Sequence, residues 1–329
     1  MQRTAVPLSG AMSAQVSHPA SPPPPGIERV EPQLRELLAL AGPAGALPAW
    51  TRVLRARASG PFLSRLRGRG MEYYESRPYL PGDDIRQFDW RVTARTGRPH
   101  TKMFREERER PVLLCVDYRR AMFFATRGVF KAVQAARAAS LLAWHAQQNG
   151  DRVGGLLFAD SEHHELPPRR GRTATLQWLK LLVAEAPRQR SMSAHATGSA
   201  RPLTEVLQRL ARVAKPGTLV FVISDFRGFD APAAAALVQL GLHVDVGLVA
   251  VHDPLEANFP EFDQAVSIAD GERSLRLAGI GRAQRDAYAA QFGARIAAVR
   301  QICRERRMLF TSMDTTAEPG AALLKLFGG

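Results

Sequence analysis

Val112-Leu113-Leu114-Cys115-Val116-Asp117 is a continuous apolar run that ends in a carboxylate. A strand with one wet face alternates apolar and polar residues. A strand that is apolar at every position is buried on both faces, as in parallel sheets covered by helices. The segments downstream repeat that setting. A helix is expected over 128–149, where Ala132, Ala136, Ala139 and Ala143 make a small-residue stripe that can lie close on a sheet. Gly150 ends it, and Arg152–Ala159 reads as a second strand. Helices over 172–186, 203–214 and 231–240 alternate with strands at Thr218–Ser224 and Leu242–Val251. A shorter extended piece, Gln264–Asp270, precedes an Arg-rich helix over 282–307 and a last strand at Met308-Leu309-Phe310-Thr311. Strands alternating with helices predict an α/β domain at 111–329, with a doubly wound, mostly parallel sheet.

Upstream the texture differs. Residues 58–110 carry glycines, aromatics and alternating charge, which fits a smaller strand-and-turn segment. Pro81-Gly82-Asp83 is its turn signal, and Met71, Tyr73, Ile85, Phe88 and Trp90 are expected to cover an edge of the main core. Residues 31–57 read as a helical lead-in with Leu34, Leu37, Leu38 and Leu40 on one side and a break at Gly42-Pro43. Residues 1–30, with the run Ser21-Pro22-Pro23-Pro24-Pro25, read as a disordered Pro-rich tail.

The totals bound the function. With 329 residues, 45% hydrophobic and 23% charged, the chain can bury a sizeable core without disulfides or metals. Cys115 and Cys303 lie far apart with no CxxC spacing, which fits buried, reduced thiols in a cytoplasmic protein. No run approaches the roughly 18 apolar residues of a membrane helix. The net charge of +14 admits nucleic acid, an acidic membrane surface or an acidic protein as partner. Half of it falls in residues 51–110, which hold 15 Lys or Arg against 8 Asp or Glu. Tyr73, Tyr74, Phe88 and Trp90 could stack on bases there, although an apolar edge would use them as core.

In an open parallel sheet the functional crevice lies at the carboxyl ends of the strands. Asp117 and Asp225 both fall there, either lining a site or capping the next helix or turn. In the upstream segment Asp83, Asp84 and Asp89 interleave with Arg77, Arg86, Arg91 and Arg95. Paired carboxylates do acid–base work when a base or metal converges on them. With an arginine beside each acid, an ion-pair network pinning the segment to the main domain is the expectation, so that Asp83→Ala or Trp90→Ala lowers stability. Gly279-Ile280-Gly281 lacks the third glycine of a dinucleotide loop, and no phosphate-binding GxxxxGK[ST] occurs. His163-His164, flanked by Glu162 and Glu165, reads as a surface cluster in a polar loop rather than a metal site. No Ser or Cys sits in a nucleophile elbow. These observations point away from an enzyme and name no cofactor.

The runs Gly82-Asp83-Asp84-Ile85-Arg86, Phe88-Asp89-Trp90 and Ala94-Arg95, then Lys102 and Ile223-Ser224-Asp225-Phe226, together resemble the bacterial domain-of-unknown-function family numbered 58. The likeness runs from about residue 55 to the end. The resemblance implies a von Willebrand factor A-like domain and association with MoxR-type AAA+ ATPases in protein maturation or metal-cofactor insertion. Such a domain has a metal-ion-dependent adhesion site, Asp-x-Ser-x-Ser, whose oxygens suit a hard divalent cation. Here the run is Asp117-Tyr118-Arg119-Arg120-Ala121, with Arg119 and Ala121 in place of the serines. Arg201 stands where a threonine ligand is expected, and Asp225 keeps the last position. Arg119 is therefore expected to take the metal's place by pairing with Asp117 or Asp225, the alternative being that it points into solvent. The resulting expectation is a non-catalytic adaptor of an AAA+ ATPase with a degenerate, metal-free site. A basic nucleic-acid binder and a divalent-metal-dependent binding domain are the alternatives.

Overall fold

The computed structural model describes residues 26–50, 71–80, 83–106, 109–195, 200–258, 266–269, 274–277 and 282–328. Most of the Pro-rich tail, residues 51–57 of the lead-in, Gly82, and the Gly279-Ile280-Gly281 run lie outside these. The last four residues assigned to the tail are helical, α1 (Ile27–Val30). The lead-in continues as α2 (Leu34–Ala39) and α3 (Ala41–Ala44), interrupted at Leu40 rather than at Gly42-Pro43. It belongs to the main core: Leu37, Ala44, Leu47 and Trp50 are buried in it. The Trp50 ring packs on His145, Phe221 and Phe327, and its Nε1 donates to Asp151 Oδ2 at 3.0 Å.

Residues 58–70 of the strand-and-turn segment lie outside the described residues; its described part holds a two-stranded antiparallel sheet of β1 (Met71–Pro78) and β2 (His100–Glu106). Between them lie a 3-10 turn, Ile85–Gln87, and α4 (Trp90–Thr96). The expectation that Trp90 covers the main core is overturned, because Trp90 is 69% exposed. Asp89 caps α4 through the Val92 N–H, which puts Trp90 in the first turn, on the wet side of a short helix. Its ring rests on Phe88 (centroids 5.0 Å apart), which rests on Tyr79 (5.3 Å). The side chains of Met71, Tyr73 and Ile85 lie outside the described ones.

The central sheet is built as the apolar runs require. In chain order it holds β3 (Pro111–Asp117), α5 (Lys131–Gln148), β4 (Arg152–Phe158), β5 (His163–Arg170), α6 (Arg172–His195) and α7 (Leu203–Val213). Next come β6 (Leu219–Ser224), α8 (Ala231–Leu240), β7 (Asp245–His252) and α9 (Pro254–Ala257). β8 (Val266–Ala269) and β9 (Ser274–Leu277) form a separate antiparallel pair, so the expected piece at 264–270 does not join the main sheet. α10 (Arg282–Glu305), β10 (Leu309–Asp314) and α11 (Pro319–Gly328) complete the chain.

The six strands run in the order β10-β7-β6-β3-β4-β5, and all neighbouring pairs are parallel except β4 with β5. β5 corrects the reading of His163-His164 as part of a polar loop. Pro167 and Pro168 donate no backbone hydrogen bond, which a strand tolerates at an edge, and β5 is the edge. Successive β3 residues serve opposite faces. Val112, Leu114 and Val116 join one buried cluster with α5, α6 and α11, while Leu113 and Cys115 join another with α7, α8 and α10. Cys115 and Cys303 are both buried. On β4, a side chain at position 155 would run into the Trp178 ring, so Gly155 lets α6 lie on the sheet. No helix among the described residues is long and apolar enough to cross a membrane.

Candidate functional site

Counted from β3, the strand order reads 3-2-1-4-5-6, so the sheet reverses direction of growth between β3 and β6. That is the topological switch point, where adjoining loops part and leave a crevice at the carboxyl ends. Asp117 ends β3, Ser224 ends β6 and Asp225 comes directly after it. The sheet alone therefore brings the two predicted carboxylates together, and both are buried.

Asp117 is held by Arg119 and Ser224. The Arg119 backbone N–H donates to Asp117 Oδ1 at 2.8 Å, and its guanidinium donates through Nε (3.1 Å) and Nη2 (2.7 Å). Ser224 Oγ donates to Oδ2 at 2.6 Å. Nη1 of Arg119 donates to the Arg201 and Arg227 carbonyls at 3.2 and 3.1 Å, and Nη2 lies 3.9 Å from Asp225 Oδ1. Arg119 is 4% exposed, with its guanidinium over the Phe158 ring. Burial opposes its charge, but Asp117 and then Asp225 outweigh burial and raise its pKa, so it stays a cation. The expected pairing with Asp117 is present, and Arg119 does not point into solvent.

Asp225 takes a second cation. Lys131, the first residue of α5, is wholly buried, with Nζ 3.0 Å from Asp225 Oδ2 and 3.1 Å from Glu256 Oε1. Burial alone would raise the Asp225 pKa, yet Lys131 and Arg119 together lower it to about 2. Glu256 is also held below the ordinary range: burial pushes it up, but Lys131, the Asp253 N–H and Arg227 together outweigh that. Arg227 Nη2 adds a bond to Glu256 at 2.7 Å. Glu256 belongs to a capping box with Asp253, whose N–H donates to Glu256 Oε2 at 3.0 Å. Asp253 in turn accepts from Thr126 Oγ1 (2.6 Å) and Thr315 Oγ1 (3.2 Å). Phe226, next to Asp225, has φ 54°, a left-handed backbone that costs a non-glycine residue about 1–3 kcal/mol and collects at functional sites.

The site thus joins Asp117, Asp225, Asp253 and Glu256 to Arg119, Lys131 and Arg227. A divalent cation bound between Asp117 and Asp225 would have to displace a guanidinium or an ammonium from their oxygens, so these residues do not fit one. No group here is arranged as an activated nucleophile.

Of the other predicted site residues, Arg201 contributes only its carbonyl. Its guanidinium turns to the β4–β5 turn, donating to Ala159 O (3.3 Å) and Ser161 O (2.8 Å). Ala121 sits in the 3-10 turn Arg120–Met122 and offers no polar side chain. Lys131, Ser224, Glu256, Asp253 and Arg227 were not anticipated. The pattern Asp253-Pro254-Leu255-Glu256 has capping-box form and carried a legible signal. Lys131 had none, since the alanines dominate the pattern of α5.

The upstream acids have structural partners. Asp83 Oδ1 pairs with Arg77 at 2.7 Å and Oδ2 accepts the Leu80 N–H at 3.0 Å; Asp84 accepts the Arg86 N–H at 2.9 Å. Asp89 accepts from Ser76 Oγ at 2.5 Å and from the Val92 N–H at 3.1 Å. The Leu80 bond first and then Arg77 hold Asp83 below its ordinary pKa, and Ser76 does most for Asp89, with Lys102 a lesser contributor. These contacts fold the segment onto itself rather than pinning it to the main domain. Arg86 and Arg95 are exposed.

The two histidines part company. His163 Nε2 lies 3.9 Å from Glu165, whereas His164 Nε2 lies 3.3 Å from Glu185 on α6, close to Glu162. Gln189 Nε2 donates to Glu162 (2.6 Å) and Glu185 (3.3 Å), and Arg188 pairs with both. The glutamates are thereby engaged.

Among curated proteins, the uncharacterized protein Rv1480 of Mycobacterium tuberculosis and the uncharacterized protein Mb1516 of Mycobacterium bovis are each 29% identical over 246 residues, spanning 74% of this chain and 75% of theirs. Among solved structures, the conserved hypothetical protein BatB from Bacteroides thetaiotaomicron is loosely similar, with TM-score 0.40 and 16% identity over 65% of this chain and 95% of that one. An aerotolerance-related membrane protein from Bacteroides fragilis gives TM-score 0.40 and 17% identity over 65% of this chain and 97% of its own. The family described as "Protein of unknown function DUF58" matches residues 75–298, more than half of the sequence, and the chain belongs to that family.

Proposed function

We propose that this protein is a cytoplasmic, non-catalytic protein–protein interaction module of von Willebrand factor A-like architecture, and that its partner is a MoxR-type AAA+ ATPase. The reading rests chiefly on one observation: the carboxylates at the switch point are already neutralised by buried cations, Arg119 on Asp117 and Lys131 on Asp225. An adhesion-type site with its ion replaced by fixed protein charges keeps a rigid, shaped surface and gives up metal control. The strand order and the antiparallel edge strand β5 support the architecture. The strained Phe226 beside Asp225 supports a binding role for this end of the sheet.

The test is affinity capture from a nuclease-treated native lysate at moderate salt, followed by mass spectrometry. Near-stoichiometric recovery of an AAA+ ATPase, reduced by Asp225→Ala, is the expected result. Recovery of ribosomal and nucleoid proteins alone, lost when the lysate is digested, would replace this reading with nucleic-acid binding through the basic upstream segment.

A further inference from the structure

Beside the charge cluster, on the solvent side, a cleft of about 430 Å³ opens between the loop after β6, α9 and α10. Its walls include Arg227, Phe229, Glu256, Tyr288, Phe292 and Arg295. It lies at the carboxyl end of the sheet, where open α/β folds place ligands.

The acids of the cleft are already committed. Glu256 serves Lys131, Arg227 and the Asp253 N–H, and Asp230 caps α8 through the Ala233 N–H at 2.9 Å. The cations have donors to spare. Arg227 uses Nη2 on Glu256, and its Nε lies 3.6 Å from Asp225. Arg295 stacks its guanidinium over Phe292 at 5.4 Å, and its Nε is shut off from solvent without a hydrogen-bond partner among the described residues. A guanidinium N–H lacking an acceptor is an incomplete contact, because buried donors are nearly always paired, and a small turn of the Arg295 side chain toward the cleft would let a ligand oxygen complete it. An aromatic-backed guanidinium fork is the group that planar carboxylates bind in two-point fashion. A phosphate concentrates up to two charges on one tetrahedral head, which matches the planar fork less well than a carboxylate does.

We propose that this cleft is a carboxylate-binding site in which Arg295, with Arg227, receives the carboxylate. The group comes either from an acidic side chain of the protein partner, which rests on the reading above, or from a free small carboxylic acid.

The probes are glutarate, tetraglutamate and inorganic phosphate, added to the full-length protein at physiological salt while the Arg227 Nε–Hε resonance, which every variant below retains, is followed by NMR. Glutarate or tetraglutamate should move that resonance saturably, with Kd of about 1 mM or tighter. Arg295→Gln should weaken tetraglutamate binding roughly tenfold or more, whereas Arg304→Gln, exposed elsewhere on α10, should leave it unchanged. Arg295→Lys, which keeps the charge and loses the fork, should resemble the Gln variant. No saturable shift, equal weakening by Arg304→Gln, or tighter binding of phosphate than of glutarate would overturn the proposal. If Arg295→Gln also abolishes capture of the ATPase, the carboxylate is the partner's. If capture persists, it belongs to a small molecule. If the wild-type chain captures no ATPase, the interaction reading fails while the titration still decides the cleft.

Discussion

Replacing Lys131 by Met keeps most of the side chain's volume and removes its charge where two carboxylates depend on it. Nζ lies 3.0 Å from Asp225 and 3.1 Å from Glu256, and all three residues are no more than 1% exposed. Removing one partner of a buried ion pair leaves an uncompensated charge in a poorly polarisable interior, and such changes cost about 3–5 kcal/mol. That is a large share of the roughly 5–15 kcal/mol by which a domain is stable. The pH dependence separates this mechanism from lost packing. In the wild type, Asp225 titrates at about 2, below its ordinary 3.8. Its pairing therefore stabilises the fold above about pH 4 and is lost as pH falls through about 2, a contribution of roughly 2 kcal/mol. In Lys131→Met, burial dominates and both carboxyls rise, so protonation relieves the variant in a range where the wild type does not titrate at this site. Urea unfolding at about pH 7.5 and about pH 5 should show a deficit of at least about 3 kcal/mol that shrinks by about 1 kcal/mol or more at the lower pH. A deficit below about 1 kcal/mol, or one equal at both pH values, would show that Lys131 does not neutralise the two buried carboxylates.

Asp89→Ala should cost about 1–2 kcal/mol through loss of the α4 cap, while Trp90→Ala, at 69% exposure, should stay within about 0.5 kcal/mol; both are read by urea unfolding. Trp50→Ala should cost about 3–5 kcal/mol, because that ring is 1% exposed and ties the lead-in to Phe221 and Phe327. Burial pushes the Asp151 carboxyl up to about 6, so its protonation stabilises the fold as pH falls from about 6 to about 4. Asp151→Asn should flatten the stability profile in that window by on the order of 2 kcal/mol, measured as the difference in unfolding free energy between its two ends.

The central strands were legible because burial on both faces leaves nothing polar to read: β3 and β6 are apolar at nearly every position. β5 was not, since His163-His164-Glu165 and two prolines describe an edge, and an edge strand resembles a loop in composition. Asp117 and Asp225 were legible as the carboxylates at the carboxyl ends of two apolar strands, whereas Arg119 was singled out only by resemblance to an adhesion-type metal pattern. Lys131 and Glu256 come from segments about 95 and 30 residues from Asp225 in the chain, and only the sheet order makes them neighbours. Trp90 misleads because a large aromatic in an otherwise charged run suggests core. The cap at Asp89 instead puts it in the first turn of α4, facing water.

Whether protein cations fill the switch-point site is the central question. Isothermal titration of the wild-type protein with Mn²⁺, repeated on Asp117→Asn, addresses it directly. The expected result is no saturable heat assignable to this site up to about 1 mM Mn²⁺, with the two proteins alike. A single saturable event with Kd below about 0.1 mM that disappears in Asp117→Asn would show that a metal displaces Arg119 or Lys131, and would contradict the assignment of these cations to the site.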